Sequence, residues 1–227
     1  MVERSRTESL HSVRLLLLYL PTLLSPMEIL ILATSIVVGA YILKSRDQRQ
    51  RIALLGSHLG RYQIERLMES LTEGYLRCLG EDNAERRQQI WSLLDSTEEK
   101  LSAQFDSFAA EFARVDAADA RVSKLPVAIP FAHKLFPAAT FDLREALAIH
   151  ARGIADVMRN EAGRSPKAKA FTMSAELFLM QHTCHWFCKS KTVASARMLA
   201  RHKTSYEQLL EAVSPATRRA YAALTGQ

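Results

Sequence analysis

The feature that most constrains this chain is an uncharged apolar run, Ile29–Leu43 (ILILATSIVVGAYIL), with basic residues directly after it. The run contains no proline. Its 15 residues span about 22 Å as a helix, and adding Pro26–Glu28 extends this to about 27 Å, close to a hydrocarbon core of about 30 Å. A second apolar run, Leu15–Leu20, lies upstream and is closed by Pro21 and Pro26. A buried helix of a soluble domain is the first competing reading; the terminal position and the basic flank speak against it. A cleaved signal peptide is the second. It lacks a small-x-small cleavage site and would not carry basic residues directly after its apolar stretch. The sequence therefore predicts one spanning helix at residues 27–43, in contact with the lipid bilayer.

Orientation follows from the positive-inside bias. Lys44, Arg46, Arg49 and Arg51 follow the run, whereas Arg4, Arg6 and Arg14 precede it with Glu3 and Glu8 among them. The bias is slight for a chain starting at Met1 and strong for one starting at Met27. Both starts place the larger part in the cytoplasm, beneath a bacterial-type inner membrane. Ser35 and Gly39 form a small-xxx-small pair, which lets two such helices approach closely and offers a route to a homodimer. The expected organisation is a flank at 1–26, a span at 27–43 and a cytoplasmic domain at 44–227.

The chain is long enough for one domain with an appendage, at 227 residues. With 48% hydrophobic and 24% charged residues it is not a disordered polymer, and 8 Gly and 7 Pro are few for an all-β chain. The net charge of +6 is unevenly placed. Residues 44–66 carry six basic and two acidic side chains, residues 81–119 four basic and ten acidic, and residues 189–203 five basic and no acidic. A charge split in this way, with no accompanying motif, argues against nucleic-acid binding. The three cysteines, Cys78, Cys184 and Cys188, do not make a disulfide framework and suit a reducing compartment.

Beyond the span the pattern is helical and predicts an all-α bundle. Ile64, Met68, Leu71, Tyr75 and Cys78 recur at spacings of 4, 3, 4 and 3. Leu94, Leu101, Phe105, Phe108, Phe112 and Val115 continue the rhythm, with Glu98 at the one missing position. Gly80 supplies a stop, and Asp82 or Asn83 a cap. These stripes predict a long antiparallel hairpin, about Gln48–Leu79 and Ala84–Ala120, with Phe105, Phe108 and Phe112 buried against Met68, Leu71 and Tyr75. Pro126, Pro130 and Pro137 break the apolar stretch between them into a packed loop or short turns. Further helices are expected after Thr140 up to Gly163, from Pro166 to about Lys189, from Thr192 to Arg201, from Tyr206 to Val213 behind a Ser205/Gln208 capping box, and from Pro215 to Leu224. No period-two alternation is evident.

The segment QHTCHWFCKS, residues 181–190, invites chemistry. It gathers His182, Cys184, His185 and Cys188, and imidazole and thiolate are ligands for zinc or haem iron. One helix does not wrap a tetrahedral ion alone, so further ligands would have to come from elsewhere, with His150 and Cys78 as candidates. The spacing matches no CxxC, CxxCH or HExxH motif. Leu177, Phe178, Leu179, Met180, Trp186 and Phe187 surround it with apolar side chains, the mark of a central buried helix in which cysteine packs as a small hydrophobe. Core packing is the favoured reading, and no metal or cofactor is expected.

A thiol enzyme is disfavoured. Neighbouring positions on a helix do not aim at a shared substrate, and no glycine-rich oxyanion loop or orienting acid lies nearby. The Glu98–Glu99 pair reads as a solvated face. The basic 189–203 segment reads as solvated charge or as a complement to the acidic 81–119 hairpin, with anionic lipid as the third option. The sequence thus predicts a membrane-anchored, non-enzymatic helical interaction or scaffold protein with an unknown protein partner. The alternative is a metal- or haem-binding sensor or redox protein built on His182, Cys184, His185 and Cys188.

Overall fold

A computed structural model describes residues 25–226. The upstream Leu15–Leu20 run and the charges of the N-terminal flank lie outside the described residues. The chain divides into two compact units, with the boundary between Arg46 and Asp47.

The first helix, α1 (Pro26–Leu59), opens on reciprocal bonds: the Ser25 amide donates to Glu28 Oε2 (2.7 Å) and the Glu28 amide to Ser25 Oγ (3.3 Å). Among the described residues it is the one helix long and apolar enough to cross a membrane, and none of its apolar window is buried. Ile31, Ile36, Val37 and Tyr41 are each more than half exposed.

The helix continues through the basic cluster, where a hairpin arm starting at Gln48 was expected. Residues 44–55 contain no glycine or proline, so nothing stops it there. It ends at Gly60, whose amide donates to Gly56 O (2.9 Å) and where any Cβ would meet that same oxygen at 2.9 Å. The first arm of the hairpin is therefore the shorter α2 (Ile64–Leu79). The second arm is α3 (Ala84–Phe112), capped by Asn83 Oδ1 accepting from the Arg86 amide (2.9 Å).

Both stripes are buried on the two packed helices, but across the seam Phe108 meets Tyr62 (6.1 Å) and Phe112 meets His58 (5.4 Å), residues ahead of the expected Met68, Leu71 and Tyr75. Ile64, Met68, Leu71, Tyr75 and Cys78 are buried on α2; Leu94, Leu101, Phe105, Phe108 and Phe112 are buried on α3. Phe108 packs between Phe105 and Phe112 at ring separations of 5.7 and 5.9 Å. Glu98 overturns the expected solvated face: it is 2% exposed, accepts from Tyr75 OH at 2.5 Å and pairs with Lys169 Nζ at 2.5 Å. It occupies the seam position that the pattern left empty. Lys169 and Tyr75 offset the cost of burying its charge.

α3 ends at Phe112, short of the expected Ala120. There a two-stranded antiparallel sheet intervenes, contrary to the absence of period-two signal. Strand β1 (Arg121–Ser123) pairs with β2 (Thr140–Asp142), with Val122 opposite Phe141. The proline-broken stretch between the strands holds one turn of helix, α4 (Ala132–Leu135), and a 3-10 turn at Pro137–Ala139.

α5 (Leu143–Arg159) starts on Asp142, whose carboxylate caps the Arg144 amide (2.9 Å). α6 (Pro166–Cys188) begins on Ser165 with Pro166 in its first turn. α7 (Lys191–His202) is capped by Ser190, two residues ahead of the expected Thr192. α8 (Tyr206–Ala212) carries the expected Ser205/Gln208 capping box, and α9 (Pro215–Thr225) is capped by Ser214. α6 is the hub: it packs on α2, α5, α7, α8 and β1. Residues on every side of it are buried, among them Leu177, Leu179, Trp186 and Phe187. Trp186 Nε1 donates to Ser123 O (2.8 Å) and its ring packs on Phe141, which ties α6 to the sheet.

Candidate functional site

The His/Cys cluster on α6 is spread over different neighbours. His182 Nε2 bonds Ser195 Oγ on α7 (3.0 Å), and its ring lies 4.6 Å from that of Tyr206 on α8. Cys184 Sγ contacts Met180 Sδ (3.9 Å) one turn back. His185 is half-buried beside Arg197 and Arg201. Cys188 is half-buried at the helix end. His150, offered as an additional ligand, bonds Thr183 Oγ1 (2.9 Å), and Thr183 in turn meets Tyr221 OH (2.8 Å). Cys78 lies on the hairpin, with its thiol toward Arg87 O (3.4 Å). Among the described residues, no three His, Cys, Asp or Glu side chains converge as a metal site would require.

The electrostatics follow from burial. Desolvation holds the imidazoles of His150 and His182 near a pKa of about 3, so both are neutral hydrogen-bonding groups at neutral pH. Burial pushes the Cys184 thiol far above its ordinary range and Cys188 up to about 11. Both sulfurs are held in the protonated form, the less nucleophilic and less metal-binding state.

A second buried polar junction joins α5, α6 and α9. Glu176, with 0% exposure, accepts from the Ser214 amide (2.9 Å), and burial raises its carboxyl pKa. Gly153 makes this junction fit. A Cβ there would fall 2.6 Å from Glu176 Oε2 and 2.3 Å from Thr217 Oγ1. Together these contacts make α6 the polar as well as the apolar spine of the domain.

A groove of about 870 Å³ lies between α2, the N-terminal half of α6 and the α7–α8 segment. Leu76 (72% exposed), Leu79 (50%) and Phe171 (67%) are exposed apolar members of its lining. Phe178 stacks on His202 at 3.9 Å and forms one wall. Lys167, Arg201 and Lys203 stand on the rim, with Glu211 as the acidic member of the lining.

The groove was not singled out in the sequence, although two signals were present. Leu76 and Leu79 lie outside the buried stripe of α2, and Arg201 and Lys203 belong to the basic 189–203 segment. Among the described residues that segment forms no ion pair with the acidic hairpin, where Arg61 pairs with Glu111 and Lys169 with Asp95 and Glu98. Lys191, from the same segment, places its ammonium 5.3 Å from the Trp186 ring and 4.7 Å from the Tyr206 ring. No protein-family model, curated protein or solved structure matches the chain.

Proposed function

We propose that this is a membrane-anchored, non-enzymatic interaction protein whose helical domain captures an amphipathic segment of a partner protein in the α2/α6/α7–α8 groove. The exposed apolar lining of the groove carries this reading. Leu76, Leu79 and Phe171 line one groove and are exposed to water, and soluble surfaces seldom keep apolar side chains gathered in a groove without a use for them. The basic rim specifies the complement: a helix with apolar residues on one face and acidic residues beside them.

The anchor in this reading is residues 27–43, a single pass through the inner membrane with the domain on the cytoplasmic side. The unburied apolar surface of α1 and the positive charges of Lys44, Arg46 and Arg49 after it support that arrangement. Ser35 and Gly39 are the pair through which two anchors would associate.

Photo-crosslinking in membranes tests the groove. A crosslinker in place of Phe171 is expected to trap one discrete partner, and one in place of Leu93, exposed on α3, is not. Binding of the purified partner should then be lost in Leu76→Glu and Phe171→Glu while the melting temperature holds. Equal trapping at both positions, or binding indifferent to both substitutions, would overturn the reading.

A further inference from the structure

We propose that the 124–136 loop is a second lipid contact, seating the domain on an anionic bilayer surface. The inference rests on the reading of residues 27–43 as the membrane anchor. Val127 (59% exposed), Ile129 (36%), Leu135 (62%) and Phe136 (48%) project from a loop that Pro126, Pro130 and Pro137 hold to a restricted set of conformations. Four large apolar side chains presented to water from one short loop are a surface without an occupant within the domain.

The position of the loop in the domain names that occupant. It packs where the chain enters the domain: Arg51 donates from one nitrogen to Arg121 O (2.8 Å), and another nitrogen meets His133 Nδ1 (2.8 Å). Asp47 and Arg51 line one shallow depression with Phe131, His133 and Lys134, and another with Val127 and Ile129. Asp47 is only four residues beyond Leu43, the last residue of the apolar run. Four residues reach at most about 14 Å even when fully extended. Each headgroup layer is about 5–8 Å thick, from the difference between the whole bilayer and its hydrocarbon core. Whatever the conformation at the boundary, the entry point of the domain stays close to the lipid surface, and the loop is packed on that entry point.

The charges around the loop complement anionic headgroups. Lys134 is exposed on the loop and Lys124 is half-buried in it; at the adjoining end of α6 and start of α7, Lys189 donates to Gln48 Oε1 (3.0 Å) and Lys191 lies over Trp186 and Tyr206. Of the nearby acids, Asp47 is paired with Arg51 at 3.3 Å and Asp119 is exposed. Few apolar side chains are needed, because the tether already holds the loop at high effective concentration beside the membrane. The placement also suits the groove. Phe171 precedes Trp186 by 15 residues on α6, about 22 Å of helix, so lipid held at the loop leaves the groove open.

Bromolipid quenching of the full chain in vesicles of mixed phosphatidylglycerol and phosphatidylcholine tests this. The emission added by Phe136→Trp should shift to the blue and lose intensity in brominated lipid, and that added by Leu93→Trp should do neither. Lys134→Glu in the Phe136→Trp background should weaken the quenching. The same vesicles are washed with carbonate. Water-like, unquenched emission at position 136 in protein that resists the wash overturns the loop contact and leaves the anchor standing. Blue-shifted but unquenched emission overturns it in favour of a second copy of the chain covering the loop. Release by the wash removes the anchor reading and the inference with it.

Discussion

The apolar run of α1 and the body of α6 both carry apolar side chains on all sides of the helix, yet the first buries none of its apolar window and the second buries side chains on every face, from Ala170 to Phe187. Their compositions differ less than their surroundings. In its apolar run α1 carries a few small hydroxyls and no charge, so it asks nothing of its neighbours beyond an apolar medium. α6 carries Glu176, His182 and Thr183 inside the domain, each needing a defined partner, and Ser214, Ser195 and His150 supply them. A helix long and apolar enough to cross a membrane and the central helix of the domain are thus separated by their polar inventory. Hydrophobicity alone does not separate them.

Substitutions should therefore act on different observables in the two helices. Phe187→Ala removes a side chain that is 1% exposed and packed on Phe112 and under Arg51. It should cost about 3–5 kcal/mol of domain stability, read by denaturant unfolding. Val37→Asp should leave that unfolding curve in place and instead oppose membrane insertion by about 2.5–3.5 kcal/mol, read as a fall in the integrated fraction. If Val37→Asp unfolds the domain, α1 is a core helix as α6 is.

The buried imidazoles make the polar inventory of α6 measurable. His150 and His182 have their pKa depressed from 6.5 to about 3 in the fold, so the unfolded chain binds their protons first as pH falls. Their contribution is fully present above about pH 6.5. It should be lost by up to about 1.4 kcal/mol per pH unit for each histidine as pH falls toward the folded value. Urea titrations at neutral and mildly acidic pH should show this slope, and His182→Gln should flatten it by one histidine's share. A slope unchanged by that substitution would place the imidazole in contact with water. Cys184→Ala is the mildest change, on the order of 1 kcal/mol through lost packing. Thiol labelling of the native protein should reach Cys188 well before Cys184.

Local rules carried much of the architecture. Asn83 and Ser205 with Gln208 cap the helices they were expected to open, the helices expected at Pro166 and Pro215 start there behind Ser165 and Ser214, and the stripes from Ile64 to Cys78 and from Leu94 to Phe112 are buried on packed helices. What escaped depends on contacts between distant residues. The turn at Gly60 is masked in the sequence by the helical pattern on either side of it. The strands hold three residues each, too short for alternation to register. Glu98 reads as a surface carboxylate until Tyr75 and Lys169 are seen to close on it. The groove is assembled from three separate segments, and no local pattern reports that Leu76, Phe171 and Lys203 are neighbours.

The most direct test of the account is the side of the membrane on which the domain lies. Lys44, Arg46 and Arg49 follow the apolar run, and each resists translocation. A C-terminal alkaline phosphatase fusion should be inactive, and a C-terminal fluorescent protein fusion bright, in membranes from which carbonate does not release the chain. An active phosphatase fusion would contradict the account, because the domain and its groove would then face away from every cytoplasmic partner.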